Sequence, residues 1–509
     1  MPSPALHDTG PFTPCPAPFN LAAYVLAASA RTPGKVALEV LSAPGTVAER
    51  WLYADLAEAV TRTAGGLAAR GIGRGDRVLI RIGNSSLFPL VLFAANALGA
   101  VPVPTSAALT VPEIGKVIVS VGPRLVCLGP GLDLPAAPGV VVIGPDEVAD
   151  LRRHEPAAIA TTAPDDPAYM VMTSGSGGAP KGVLHAQRAA WARRMMWEGW
   201  YGLGPDDRML HAGAFNWTYT LGAGLIDPLA AGATALIYTG PADRHVWPAL
   251  AAAHGATIFA AAPGVYRQMQ DAPELATGFA TLRHGLSAGE ALPEAVRATW
   301  SAATDRAIHE ALGMSEISTY VSGSPSRPAP PGTAGFPQPG RRVAILPEEG
   351  AEPVERGADG LLAVSRRDPG LMLGYWQQPE ETAVAFRGEW FVTGDRARMG
   401  EDGSITYLGR ADDLMNADGF RVSPAEVEAA LLAHPGVAEA AAVDMPVASG
   451  ATVIAAFYVL RGDPIDEAEL AAHCAARLAR YKRPRIFRAV EALPRTATGK
   501  IARRQLREA

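Results

Sequence analysis

The run Thr173-Ser174-Gly175-Ser176-Gly177-Gly178-Ala179-Pro180-Lys181-Gly182 crowds hydroxyls and glycines together and adds one lysine. It follows a short apolar stretch, Tyr169-Met170-Val171-Met172, that reads as a strand. Glycines let successive backbone N–H groups point at one anion, and a lysine adds a point charge. That chemistry grips polyphosphate. The P-loop of nucleotide hydrolases needs Gly-Lys-Ser/Thr after four free positions. Here Pro180 precedes Lys181 and Gly182 follows it, so the spacing excludes that loop. The plain alternative is a glycine turn with a solvated lysine.

Two carboxylates stand where apolar runs end. Leu312-Gly313-Met314-Ser315-Glu316 follows the strand-like Ala307-Ile308-His309. A hydroxyl beside a carboxylate at a strand end suits Mg²⁺ bridging phosphate oxygens, because magnesium takes one or two carboxylates plus ligand oxygens rather than a protein cage. Trp390-Phe391-Val392-Thr393-Gly394-Asp395 sets a second carboxylate just past a strand, where it can accept both hydroxyls of a ribose. A turn aspartate is the ordinary alternative. Two basic candidates lie further on: Arg410 in Gly409-Arg410-Ala411-Asp412-Asp413-Leu414, and Lys500 on the glycine-containing tip Pro494-Arg495-Thr496-Ala497-Thr498-Gly499-Lys500.

These groups need a scaffold. Short apolar runs alternate with longer helical patterns over the first part of the chain: Arg77 to Arg81, Leu125 to Leu128, Val140 to Ile143, Ala235 to Tyr238 and Thr257 to Phe259 read as strands, with helices at Leu87 to Leu98 and Val246 to His254. That alternation predicts parallel sheets covered by helices, an α/β fold. The apolar stretch from Phe88 to Pro104 is interrupted by Asn96, Gly99 and prolines, so it predicts a buried helix turning at Gly99 into a buried strand rather than a membrane span. Between Arg341 and Tyr407 short strands and turns predict a small barrel-like part. The last hundred residues carry a helix from Pro424 capped by Ser423, a strand from Val453 and a helix from Glu467, a small α+β domain. We expect a large domain over residues 1–409 and a small one over 410–509.

Composition narrows the partners. The 509 residues carry 45 basic and 51 acidic side chains, a net charge of −6, which disfavours nucleic acid. Cys15, Cys127 and Cys474 have neither metal nor disulfide spacing, and residues 1–20 lack a leader pattern, so a reducing cytoplasm is the expected compartment.

In their order along the chain, the loop at 173–182, Leu312 to Glu316, Thr393-Gly394-Asp395, Gly409 to Asp413 and Pro494 to Lys500 resemble the five motifs of the adenylate-forming (AMP-binding) superfamily: acyl-CoA synthetases, peptide-synthetase adenylation domains and luciferases. The resemblance implies activation of a carboxylic acid by ATP with Mg²⁺, then transfer to coenzyme A. It implies that the loop and Lys181 hold the ATP phosphates, Glu316 the magnesium and Asp395 the ribose. Gly289, Glu290, Glu310, Leu312, Gly313, Met314, Ser315 and Arg410 are placed with the nucleotide, and Lys500 at the reacting oxygens. Asp412 matches the hinge of a mobile small domain, and Gly419 matches a loop lining the pantetheine tunnel. Lys482 and Arg483 would meet the CoA phosphates or form a solvated basic turn. Gly177, Leu312 and Asn416 depart from the usual threonine, aromatic and lysine.

The segment His211 to Gly222 falls where the family builds its acyl pocket. Trp217, Thr218 and Tyr219 would wall it, or Trp217 and Tyr219 would simply pack the core. Ser287-Ala288-Gly289-Glu290-Ala291-Leu292-Pro293 resembles the corresponding loop of benzoate and medium-chain acyl-CoA ligases, but no histidine follows Glu316 as is usual in the benzoate group. We therefore expect an aromatic, alicyclic or short to medium-chain acid. Lack of a cation in these segments disfavours a dicarboxylic acid. The competing readings are a stand-alone enzyme loading a carrier protein, an oxygenase that adenylates its substrate, and a non-catalytic relative. No carrier domain is read before Ala509, which favours CoA, and a homodimer is left open.

Overall fold

The computed structural model describes residues 3–174, 180–411, 415–417, 420–446, 452–478, 482–495 and 501–508. The chain forms two compact units: residues 7–342 with 364–391, and residues 1–6, 343–363 and 392–509.

The larger unit is built on a nine-stranded sheet. Its central strands run Ile308–Met314, His284–Ala288, Ile258–Ala261, Arg208–His211, Thr234–Tyr238 and Val36–Ala43, all paired parallel. Antiparallel strands close both sides, among them Ser318–Ser322 beside Ile308–Met314 and Thr46–Leu52 beside Val36–Ala43. A second, parallel sheet holds Val101–Pro104, Arg77–Arg81, Leu125–Leu128 and Val141–Ile143. The short apolar runs read from the sequence are these strands. They carry Val, Ile, Leu and Ala on both faces because parallel sheets are covered on both sides. The central strands end together, so His211, Ala288 and Met314 all lie at carboxyl ends, where α/β sheets hold their ligands.

The apolar stretch is the helix Leu87–Ala97, and Gly99, at φ +72°, turns it into Val101–Pro104. Asn96 is tolerated inside because its amide nitrogen donates to the Ala168 carbonyl at 2.7 Å and its oxygen accepts from the Ala22 N–H at 3.3 Å. Among the described residues no helix is long and apolar enough to cross a membrane.

Over residues 343–410, the strands Val343–Leu346, Asp359–Ser365, Trp390–Met399 and Ile405–Arg410 lie side by side in that order along one sheet. Toward the C-terminus, Val437–Pro446 pairs antiparallel with Thr452–Leu460, which pairs parallel with Ile486–Ala489. Helices Pro424–Leu432 and Glu467–Ala475 pack Val427, Leu431, Leu470 and Cys474 against that sheet. Ser423 precedes its helix as expected but does not cap it. Its hydroxyl donates to the Leu408 carbonyl instead, tying the helix start to the strand Ile405–Arg410.

Candidate active site

The phosphate-loop motif lies at the tip of a β-hairpin. Pro167–Ser174 and Pro180–Ala186 pair antiparallel, with Thr173 opposite Lys181. Gly175, Ser176, Gly177 and Gly178 lie outside the described residues. The short strand Gly374–Tyr375 adds to the other edge, Tyr375 opposite Val183. This pairing carries Tyr375 to Lys181, whose ammonium lies 5.3 Å from the ring centroid. The same ammonium pairs with Glu381 at 2.5 Å, from the first turn of the helix Pro379–Val384.

Glu316 sits in the turn between Ile308–Met314 and Ser318–Ser322. Its Oε1 accepts a hydrogen bond from the Tyr375 hydroxyl at 2.9 Å. Tyr375 thus joins the expected phosphate-binding lysine to the expected metal-binding carboxylate. The turn is held from several sides. The Met372 N–H donates to the Glu316 carbonyl at 2.8 Å, and His185 Nε2 donates to the Ser315 carbonyl at 2.8 Å. Burial pushes the His185 pKa down to about 4, so the ring is neutral. Gly313 permits the close return of the chain: a Cβ there would stand 2.5 Å from the Ser318 carbonyl oxygen. Ser318 adopts φ +70°, and its hydroxyl accepts from Arg193 at 2.7 Å. Arg193 is itself buried and paired with buried Asp227 at 2.6 Å, with the Tyr201 hydroxyl 2.9 Å from the same carboxylate.

Glu316 suits a hard cation: it is a half-buried carboxylate oriented by Tyr375. Three or more His, Cys, Asp or Glu do not gather as a metal cage among the described residues. An ion at Glu316 would therefore take its remaining ligands from phosphate and water.

A small pocket, with room for about one water molecule, lies between this turn and the expected acyl segment, lined by Tyr169, His185, Arg193, Thr218, Gly222 and Ser315 among others. Thr218 and Ser315 therefore both line it. Arg193 enters from outside the segments the sequence had marked, but Asp227 offsets its charge, so the pocket gains no free cation for a second carboxylate. Trp217 meets Tyr219 edge-on at 5.1 Å, and Tyr219 stacks on Trp200 at 5.4 Å. Gly289, at φ +103°, lets the Trp217 indole approach: a Cβ there would stand 2.7 Å from its Cζ2. Glu290 lies 4.0 Å from Arg267. Ser287 is fully buried, and its hydroxyl lacks a hydrogen-bond partner among the described residues.

Leu312 and Met314 are half-buried on the same strand. Glu310 is occupied structurally. Its carboxylate accepts from the Leu292 N–H at 3.2 Å and from Arg297 at 3.0 Å, and burial pushes its pKa up to about 7.

In the smaller unit, Asp395 and Arg410 face each other across adjacent strands. Arg410 donates to Asp395 Oδ1 at 3.3 Å and to the Thr393 carbonyl at 2.8 Å. Gly394 adopts φ +74°, a conformation that favours glycine, and lies close against the Arg410 guanidinium. Lys482 pairs with Glu426 at 2.7 Å, and Arg483 donates to the Leu478 and Ala475 carbonyls, both at 2.9 Å. Those bonds give the basic turn a structural use. Asp412, Gly419 and Lys500 lie outside the described residues, as does the side chain of Ser174.

The AMP-binding enzyme family model matches residues 26–376, and the model of the C-terminal domain of AMP-binding enzymes matches residues 426–500. The chain belongs to the AMP-binding enzymes. This AMP-binding enzyme is 32% identical to a 3-hydroxybenzoate–CoA ligase of Aromatoleum sp. (strain CIB) over 477 residues, covering 90% of this chain and 91% of that one. It is 34% identical over 486 residues to a benzoate–CoA ligase of Thauera aromatica, with the same coverage of 90% and 91%. Among solved structures, a benzoate CoA ligase from Burkholderia xenovorans LB400 superposes with a TM-score of 0.87 at 30% identity, covering 96% of this chain and all of that one (100%). ATP-bound MatB from Rhodopseudomonas palustris gives 0.87 at 28% identity, covering 96% and 98%. The enzyme is an acid–thiol ligase, an AMP-forming acyl-CoA synthetase.

Proposed function

We propose that this synthetase activates an aromatic acid, with alicyclic and short to medium-chain acids as the wider class, and passes the acyl group to coenzyme A. The observation that carries this reading is the linkage of Lys181 and Glu316 through Tyr375, beside a small pocket that Ser315 and Thr218 both line. The aromatic preference draws on the similarity to benzoate and hydroxybenzoate ligases and on Trp217, Tyr219 and Trp200.

In the first half-reaction, a carboxylate oxygen of the acid attacks the α-phosphorus of ATP. Pyrophosphate leaves, and an acyl-adenylate forms. Such chemistry rests on positioning and charge neutralisation. Lys181 exchanges Glu381 for the β- and γ-phosphate oxygens, helped by the N–H groups of residues 174–178. Glu316 would hold Mg²⁺, which supplies positive charge to the phosphates when bound. Asp395 accepts the ribose hydroxyls, with Arg410 beside it. Lys500 stabilises charge developing at the reacting oxygens. In the second half-reaction the CoA thiolate attacks the acyl carbonyl and AMP leaves with the bridging oxygen. Residues 410–509 turn about Asp412 between the two, withdrawing Lys500 and bringing the Gly419 loop, with Lys482 and Arg483, to CoA. A reducing cytoplasm is the proposed compartment, in keeping with three free cysteines.

The test is AMP release from ATP with a panel of benzoates, cyclohexanecarboxylate and fatty acids, with and without CoA. CoA-dependent turnover of aromatic acids supports the reading. Turnover confined to fatty acids overturns the aromatic part, and pyrophosphate exchange without CoA turnover points to a carrier-protein thiol.

A further inference from the structure

Three hydrogen-bonding side chains in the acyl segment are buried with unpartnered polar atoms among the described residues. His211 ends the strand Arg208–His211 opposite Ala260, at the carboxyl edge of the parallel sheet. It is 5% exposed, and neither ring nitrogen has a partner among the described residues. The Thr220 hydroxyl, at 1% exposure, and the Tyr219 hydroxyl, at 7%, are also without partners. His185 and His284 differ in that one ring nitrogen of each reaches a backbone carbonyl, of Ser315 at 2.8 Å and of Tyr201 at 2.7 Å.

The three groups are neighbours. The His211 ring meets Tyr219 edge-on, centroids 4.4 Å apart. A Cβ placed on Gly213 would stand 2.2 Å from Thr220 Oγ1 and 3.1 Å from His211 Nδ1. Glycine at 213 therefore lets the loop backbone pass close to both polar atoms, where any larger residue would have to displace them. Gly224 backs the other edge of the ring, where a Cβ would lie 2.9 Å from the His211 Cβ. The loop at 213 is itself fixed, since Asn84 donates to the Gly213 carbonyl at 2.8 Å and accepts from the Phe215 N–H at 3.0 Å. Tyr219 and Thr220 belong to the helix Thr218–Leu221, whose first residue lines the same pocket as Ser315.

A buried polar group without a partner is destabilising, so native cores rarely keep several together. We infer that His211, with Thr220, reads a hydroxyl or amino substituent on the aromatic acid that this enzyme activates, an inference that rests on the aromatic-acid reading above. The group read must be neutral and able both to donate and to accept. Burial pushes the His211 pKa down to about 3, so the imidazole is neutral at working pH and offers one donor and one acceptor. Hydroxyls at 219 and 220 do the same. A second carboxylate on the acid would find no positive charge here.

The experiment compares kcat/KM for benzoate, the three hydroxybenzoates and the three aminobenzoates, in the wild type, His211→Phe and His211→Gln. The wild type should prefer one hydroxy- or amino-isomer to benzoate. In His211→Phe that preference ratio should fall by about ten- to a hundredfold, the range for leaving one buried hydrogen-bonding group unserved. His211→Gln, whose amide also donates and accepts, should recover part of it. Equal loss for both acids in His211→Phe, or an unchanged ratio, overturns the inference and leaves His211 a packing residue. A wild type that prefers benzoate overturns it without any variant, so a misfolded His211→Phe does not shelter it. Turnover of fatty acids alone would sink the aromatic-acid reading and this inference together, whereas turnover of benzoates without a substituent preference sinks only the inference.

Discussion

Tyr375→Phe isolates the link between Lys181 and Glu316. The substitution keeps the ring that lies 5.3 Å from the Lys181 ammonium and removes only the hydroxyl that donates to Glu316 at 2.9 Å. Hydrogen bonds to charged acceptors contribute about 1.5–3 kcal/mol. Glu316 and Tyr375 are both half-buried, which argues for the lower end, about 1.5 kcal/mol. At about 1.4 kcal/mol per decade, the adenylation half-reaction should slow about tenfold in kcat/KM. If the hydroxyl orients Glu316 for Mg²⁺, part of that loss should return when magnesium is raised. The assay is ATP–pyrophosphate exchange as a function of Mg²⁺, alongside thioester formation from supplied acyl-adenylate. The second rate should stay near that of the wild type, because it needs no metal-held pyrophosphate. Unchanged exchange, or equal loss in both half-reactions, would refute the reasoning.

Other perturbations follow from the same geometry. Lys500→Ala should cripple acyl-adenylate formation yet spare thioester formation from supplied acyl-adenylate; equal loss of both would contradict its assigned role. Asp227→Asn leaves the buried Arg193 charge uncompensated and should lower unfolding stability by about 3–5 kcal/mol, while the double replacement Arg193→Met with Asp227→Leu recovers much of it, as denaturant midpoints would reveal. Equal destabilisation by the single and double variants would contradict that account. Glu310 gives a pH signature. Its folded pKa, about 7, lies above the ordinary carboxylate value, so the folded state binds the extra proton and stability declines as pH rises from about 4.5 through about 7. Glu310→Gln should remove that part of the slope between pH 5 and 8, and an unaltered slope would count against it.

Much of the scaffold was legible because buried parallel strands announce themselves as short aliphatic runs. Arg77 to Arg81 and Leu125 to Leu128 match their strands residue for residue, and the helix Val246–His254 ends at Gly255 as its pattern predicts. Lys181 and Glu316 stood out by residue type, and the structure sets them on a hairpin and in a turn. What joins them did not stand out. Tyr375 and Glu381 reach Lys181 only through the antiparallel pairing of Gly374–Tyr375 with Pro180–Ala186, and pairing between segments so far apart leaves no local signal. Arg193 and Asp227 carry no motif and lie 34 residues apart; only their burial together reveals a pair behind Ser318. The hydroxyl of Ser423 had two local uses open to it, a cap or a bond across to Leu408, and sequence cannot rank them. His211 was read as the start of a pocket segment, and its lack of partners became visible only when the neighbours on every side were known.

The most direct test of the central claim follows oxygen. Benzoate or a hydroxybenzoate labelled with ¹⁸O in its carboxylate is turned over with ATP and CoA, and the AMP is weighed by mass spectrometry. Attack of the carboxylate on the α-phosphorus, followed by thiolysis at the acyl carbon, predicts one ¹⁸O in the phosphate of each AMP and none in pyrophosphate. Label in inorganic phosphate with ADP as the nucleotide product, or unlabelled AMP, would contradict an acyl-adenylate route.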